Sequence, residues 1–174
     1  VDCEHFFDGY RLDPDYGVRV LDASAEAGAD VGVMCDTNGG MLPMGVRDIV
    51  ADVKRRAGIR LGIHTQDDTG CAVANTFAAV DAGVTHVQGT ANGYGERTGN
   101  ANLFTILGGL VTKMGRDVLP EGCLAEMQRV SHAIAEIANL SPDTHAPYVG
   151  AAAFAHKAGL HASAIKVAPE TYNH

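Results

Sequence analysis

The chain has 174 residues, 46% hydrophobic and 20% charged, which suits one folded domain with a sizeable core and excludes a disordered chain. Acidic residues outnumber basic ones 21 to 13, the formal charge is -8, and the longest basic cluster is Lys54-Arg55-Arg56, so nucleic acid and anionic membrane are poor partners. No apolar run is long enough for a bilayer and no secretion signal opens the chain, which points to a cytoplasmic protein.

The chain opens as a strand, Val1-Asp2-Cys3-Glu4, without an initiating methionine, which suggests that it begins inside a longer protein. Asp13-Pro14 suits a helix start, and a helix over about 14–27 closes on Ala27-Gly28. A short apolar strand follows at about 31–35, then a helix over about 44–57 opened by Pro43 and closed by Ala57-Gly58. The layout repeats with a strand at about 59–63, a helix over about 70–82 closed by Ala82-Gly83, a strand at about 84–88 and a helix over about 101–114. Strictly alternating strands and helices predict an α/β fold with a parallel sheet covered by helices. Leu124, Met127, Val130, Ile134 and Ile137 recur at helical spacing, so about 121–139 reads as a helix with one apolar face. Ser141 to Pro147 reads as a connector. From Gly150 to Ile165 an alanine- and glycine-rich stretch carries His156, Lys157 and His161. Cys3, Cys35, Cys71 and Cys123 form no CxxC pair and are expected to be free thiols, buried in strand-like or helical runs.

Polar residues collect where strands end: Glu4-His5, Cys35 to Asn38, His64 to Asp68, and Gln88 to Asn92. In a parallel sheet those ends share one side, which is the chemical face of a (β/α)8 barrel and of an open doubly wound sheet alike. His64 at a strand end reads as a ligand for a divalent cation, with a core histidine bonded to a carbonyl as the alternative. The loop from Asn92 to Asn100 has glycines at 93, 95 and 99, one residue too wide for a dinucleotide fingerprint, and tight turns explain them equally well. Asn100 can offer an oxygen to a metal or cap the helix that follows, and spacing alone favours the cap. Thr37 can simply bond the turn backbone, and Glu4 is either a solvated charge or an acid/base group. For His161 sequence-local physics is silent. His86, His132, His145 and His174 give no sign of function.

Five strings, CEHFFDGY (3–10), CDTNGGMLP (35–43), GIHTQDDTGCAVAN (62–75), VQGTANGYGERTGNANL (87–103) and AFAHKAGLHASAI (153–165), resemble the family of 2-isopropylmalate, homocitrate and citramalate synthases, in the family's order. HFFDGY and NGYGERTGNANL are most similar to its citramalate-forming branch. The resemblance implies the second half of a (β/α)8 TIM barrel, strands five to eight, over residues 1–118, followed by a small helical linker subdomain over 119–174. It implies acyl transfer: acetyl-CoA condensed with a 2-oxo acid, pyruvate giving citramalate, in branched-chain amino-acid biosynthesis. The alternatives are the isopropylmalate and homocitrate reactions, or a non-catalytic binding paralogue. Carried over, His64, Gln66 and Asn100 are metal ligands, which overrides the cap reading of Asn100. Thr37 binds the 2-oxo acid carboxylate. Glu4 and His161 serve the acid/base steps on acetyl-CoA, with His161 reaching into the partner of a homodimer. The family pattern His-x-His-Asn-Asp is here His64-Thr65-Gln66-Asp67-Asp68, and an amide oxygen in place of imidazole suits Mg2+ or Mn2+ better than Zn2+. The family's first-strand arginine and aspartate are not in the chain, so the half-barrel alone is expected to be inactive.

Overall fold

A computed structural model describes residues 1–156 and 158–169; Lys157 and His174 lie outside the described residues. Two compact units are formed, Val1–Ile106 and a second from Leu107 onward, with helix α5 (Leu103–Thr112) carrying the chain from one to the other.

The first unit is built on a four-stranded parallel sheet in the order β1 (Asp2–Cys3), β2 (Val31–Asp36), β3 (Arg60–Thr65) and β4 (His86–Gln88). Each strand pairs with the next in sequence, and Cys35, His64 and Gln88 stand on one rung. The crossovers are α2 (Pro14–Glu26), α3 (Pro43–Arg56) and α4 (Ala72–Asp81), as the alternating pattern predicts. Helix α1 (Phe6–Leu12) precedes α2 in the first crossover and is additional to the alternating pattern. Its signal is the set Phe6, Phe7 and Tyr10, all buried, on one side of two helical turns.

Local chemistry sets the helix ends. The Asp13 carboxylate accepts the Tyr16 N–H at 3.0 Å, with Pro14 opening α2. Gly28 and Gly83 take left-handed conformations (φ 93° and 107°), as the Ala-Gly pairs predict. The third pair differs: α3 stops at Ala57 in extended backbone (φ -87°, ψ 139°), and Gly58 is not left-handed. Its last turn carries Lys54, Arg55 and Arg56, where cations suit the carbonyl end of the helix dipole.

Alternation along the strands sorts the two sheet faces. Met34, Leu61 and Ile63 pack against Leu21, Val46, Val50 and Val53 of the helices to form the core. Asp2, Val33, Cys35, His64, His86 and Gln88 occupy the opposite face by their register. A largely polar face on a parallel sheet is unusual, because such strands are normally covered on both sides.

In the second unit, α6 (Met127–Ile137) follows a 3-10 turn at Cys123–Glu126, and α7 spans Gly159–Val167. The apolar stripe expected there is rotated. Met127, Ser131 and Ala135 are buried, whereas Ile137 is 86% exposed. The Tyr148 ring lies against Gly108, where any side chain would collide with it, and the His132 ring meets the Val149 carbonyl at 3.1 Å. All four cysteines are free thiols; Cys3 and Cys35 are buried, Cys71 is half-buried and Cys123 is exposed, contrary to the buried expectation for the last. Among the described residues no helix is long and apolar enough to cross a membrane.

Candidate functional site

Backbone pairing brings the loops after β3 and β4 together. The Asp67 N–H donates to the Gly99 carbonyl at 3.0 Å and the Ala101 N–H to the Thr65 carbonyl at 3.0 Å, so Gln66 and Asn100 face each other in an antiparallel bridge. Side chains of such a directly opposed pair emerge on the same side. His64 lies two residues before Gln66 and shares that side. Thr65 between them points the other way, its hydroxyl bonded to the Ala72 carbonyl at 2.9 Å and to Thr76 at 3.0 Å in the buried layer. The fold therefore gathers His64, Gln66 and Asn100.

Their hydrogen bonds differ. His64 Nδ1 meets Gln88 Oε1 at 3.0 Å, and Gln88 Nε2 donates to Asp2 Oδ1 at 2.9 Å. Asn100 Nδ2 donates to the Tyr94 carbonyl at 3.3 Å, which turns its amide oxygen away from that carbonyl. It is not the helix cap: α5 starts at Leu103, and the Asn102 side chain accepts the Phe104 N–H at 3.0 Å. Gln66 Oε1 accepts a hydrogen bond from Arg97 Nη2 at 2.8 Å. The Arg97 guanidinium also bonds both Asp68 carboxylate oxygens, at 2.8 and 2.9 Å, and the Thr37 carbonyl at 2.8 Å. This charge-assisted fork ties three strand-end loops together and holds the Asp68 carboxyl below its usual range. Arg97 itself sits at φ 53°, a left-handed backbone rare outside glycine.

The loops after β1 and β2 form a second cluster. Thr37 Oγ1 accepts the His5 N–H at 2.7 Å and donates its proton to Glu4 at 2.7 Å. Asn38 Nδ2 donates to Asp8 at 2.9 Å. The Asp36 carboxylate accepts the Gly40 and Met41 N–H groups at 3.2 and 3.1 Å and shapes the turn. Burial nevertheless pushes its pKa up, against the pull of those two bonds. Burial, with the charges of Glu4 and Asp2 behind it, pushes the Cys35 thiol up to about 12, so it rests protonated at neutral pH.

His161 lies on α7 in the second unit, exposed, its ring 6.1 Å from that of His156 in an edge-on arrangement. The partners of Arg97, Gln88 and Asp2 are not legible in local sequence, because they lie 29, 24 and 86 residues away.

The HMGL-like family model matches residues 2–140. The chain belongs to the HMGL-like family. It is 68% identical over its whole length to "(R)-citramalate synthase" of Streptomyces coelicolor and 50% identical over 99% of its length to that of Geobacter sulfurreducens. A homocitrate synthase of Methanopyrus kandleri is 35% identical over 95% of the chain and is itself covered to 41%. The chain spans about a third of the length of the citramalate synthases it matches (33% of each). Among solved structures, the N-terminal domain of a putative aldolase from Bacteroides vulgatus shares the fold with a TM-score of 0.61 and 21% identity, over 86% of this chain and 47% of that one. The carboxyl transferase domain of Rhizobium etli pyruvate carboxylase does so with a TM-score of 0.64 and 22% identity, over 80% of this chain and 23% of that one. The fold is thus that of the HMGL-like TIM barrels, with a parallel sheet.

Proposed function

We propose that the chain supplies strands five to eight of a (β/α)8 barrel and the start of a linker subdomain, within a cytoplasmic, homodimeric enzyme that condenses acetyl-CoA with pyruvate to give citramalate. The observation that carries this reading is the juxtaposition of His64 and Asn100 across the Gln66–Asn100 bridge, in a chain 68% identical to a citramalate synthase. The polar side chains of Glu4, His64 and Gln88 at the C-terminal ends of parallel strands support the barrel, since that rim is where such a barrel carries its chemistry.

The donor set fits a divalent cation in part. Among the described residues no three His, Cys, Asp or Glu side chains converge on one point, so the chain offers an imidazole and amide oxygens, a set suited to Mg2+ or Mn2+. His64 and Asn100 are the principal ligands. Gln66 is the weakest of the three, because its oxygen is already engaged by the Arg97 guanidinium and must give up that hydrogen bond to reach a cation. When bound, the cation supplies Lewis acidity at the keto group of the 2-oxo acid.

The chain's own groups do the rest. Thr37 turns its proton from Glu4 to the carboxylate of the incoming 2-oxo acid, which frees Glu4 Oε2 as a base. With His161 reaching over from the other copy of the homodimer, Glu4 serves proton transfer from the acetyl methyl group. The carbon nucleophile so formed attacks the keto carbon, and water then cleaves the thioester to release CoA. Relatives named as homocitrate and isopropylmalate synthases, at 35% and 38% identity, keep 2-oxoglutarate and 2-oxoisovalerate as rival acceptors. Release of CoA by the intact protein, assayed with all three acids, decides: turnover with pyruvate supports the reading, and turnover only with another acid rejects it.

A further inference from the structure

We propose that Gln88, itself oriented by Asp2, fixes the imidazole tautomer of His64, so that Nε2 is the ring nitrogen offered to a cation. The inference rests on the reading of His64 as a metal ligand, and it concerns a residue two steps removed from the metal.

The chemistry runs in one direction along the chain of contacts. The ionised Asp2 carboxylate can only accept, so the Gln88 group at 2.9 Å from it must be the amide nitrogen. The amide oxygen is then the end that faces His64 Nδ1 at 3.0 Å. The flipped amide would set oxygen against carboxylate and is excluded. An amide oxygen can only accept, so His64 Nδ1 must carry the proton, and in the neutral ring Nε2 is left with its lone pair bare. A metal-ligating histidine commonly needs this kind of outer partner, which fixes both the tautomer and the ring plane.

The fold makes the relay possible. His64 and Gln88 are register partners on adjacent strands and emerge on the same face. Asp2 lies on the other edge strand, with β2 and β3 between it and β4, and shares that face. Gly62 stands on the same face two residues before His64, where a side chain would collide with Val33 and His86. Asp2 thus has a role in the reading although it touches neither substrate nor cation.

The test is made on the intact protein. Histidine nitrogen NMR without metal reads the tautomer of His64, and Mn2+ titration of the same samples reads affinity. The expected wild-type spectrum shows Nδ1 protonated and Nε2 pyridine-like. Gln88→Leu removes the acceptor and should give a mixed or Nε2-protonated ring, with Mn2+ affinity down about 10- to 100-fold. Asp2→Asn, which allows the Gln88 amide to flip, should shift the same signals in the same direction with little change in fold. Gln88→Glu combined with Asp2→Asn keeps an acceptor for His64 and a donor for position 88, so this pair should keep the Nδ1–H tautomer, which guards against a variant that merely unfolds. An Nε2-protonated His64 in the wild type, or an unchanged tautomer in both Gln88→Leu and Asp2→Asn, overturns the proposal. A tautomer that shifts as expected while Mn2+ binds equally well in every variant upholds the relay and overturns His64 as a ligand instead.

Discussion

Gly95→Ala should dislodge the Asn100 amide while leaving the fold almost intact. A Cβ at Gly95 would overlap Asn100 Nδ2 directly, and Gly95 has no positive φ, so the backbone accepts alanine without strain. The amide must withdraw by roughly 1 Å or more, because non-bonded heavy atoms settle at about 3.5–4.0 Å. What stability loses is the Asn100–Tyr94 hydrogen bond, about 0.5–1.5 kcal/mol. What the site loses is larger, since a displacement of about 1 Å can cost on the order of 100-fold in rate. Urea unfolding and Mn2+ titration of the intact variant separate the two effects. The expected result is a transition shifted by about 1 kcal/mol beside a metal affinity lowered at least tenfold. A variant that binds Mn2+ as tightly as the wild type would refute the placement of Asn100 in the site.

Thr37→Val should raise the KM for the 2-oxo acid about 10- to 100-fold, the value of a hydrogen bond to a charged group, with the loss read by steady-state kinetics. Glu4→Gln should lower kcat by about 100-fold or more with KM for the acid little changed. Gln66→Ala should cost less Mn2+ affinity than His64→Ala, because the Gln66 oxygen is already engaged by Arg97; equal losses by calorimetry would make Gln66 a full ligand. The Cys35 thiol titrates near 9.0 when unfolded and at about 12 in the fold. Its contribution to stability is therefore fully present below about pH 9 and is lost as pH rises towards about 12. Cys35→Ala should flatten the alkaline fall of the unfolding midpoint, and an identical pH profile would contradict the burial assigned to that thiol.

Much of the scaffold was legible because its signals are local. The apolar runs near Val31, Ile59 and Val84 became β2, β3 and β4 within two residues of where they were expected, and Asp13 and Pro43 marked helix starts. Phe6, Phe7 and Tyr10 carried the α1 signal, but in a segment too short for periodicity to stand out from an extended strand. Spacing alone favours Asn100 as a cap; the structure gives that role to Asn102, and Asn100 instead joins the Gln66–Asn100 bridge, a pairing between two loops. Arg97 looked like one more polar loop residue, although its guanidinium joins the turns at Thr37, Gln66 and Asp68. The rotation of α6, which buries Ser131 and Ala135 and exposes Ile137, follows from packing within its unit that no stripe of side chains announces.

Pulsed electron paramagnetic resonance of Mn2+ bound to the intact protein tests the site most directly, since the metal's own signal reports a coordinated histidine nitrogen. Coupling to one imidazole nitrogen in the wild type, lost in His64→Gln, is the result expected. Bound Mn2+ with no nitrogen coupling, or with coupling that survives His64→Gln unchanged, would contradict His64 as its ligand.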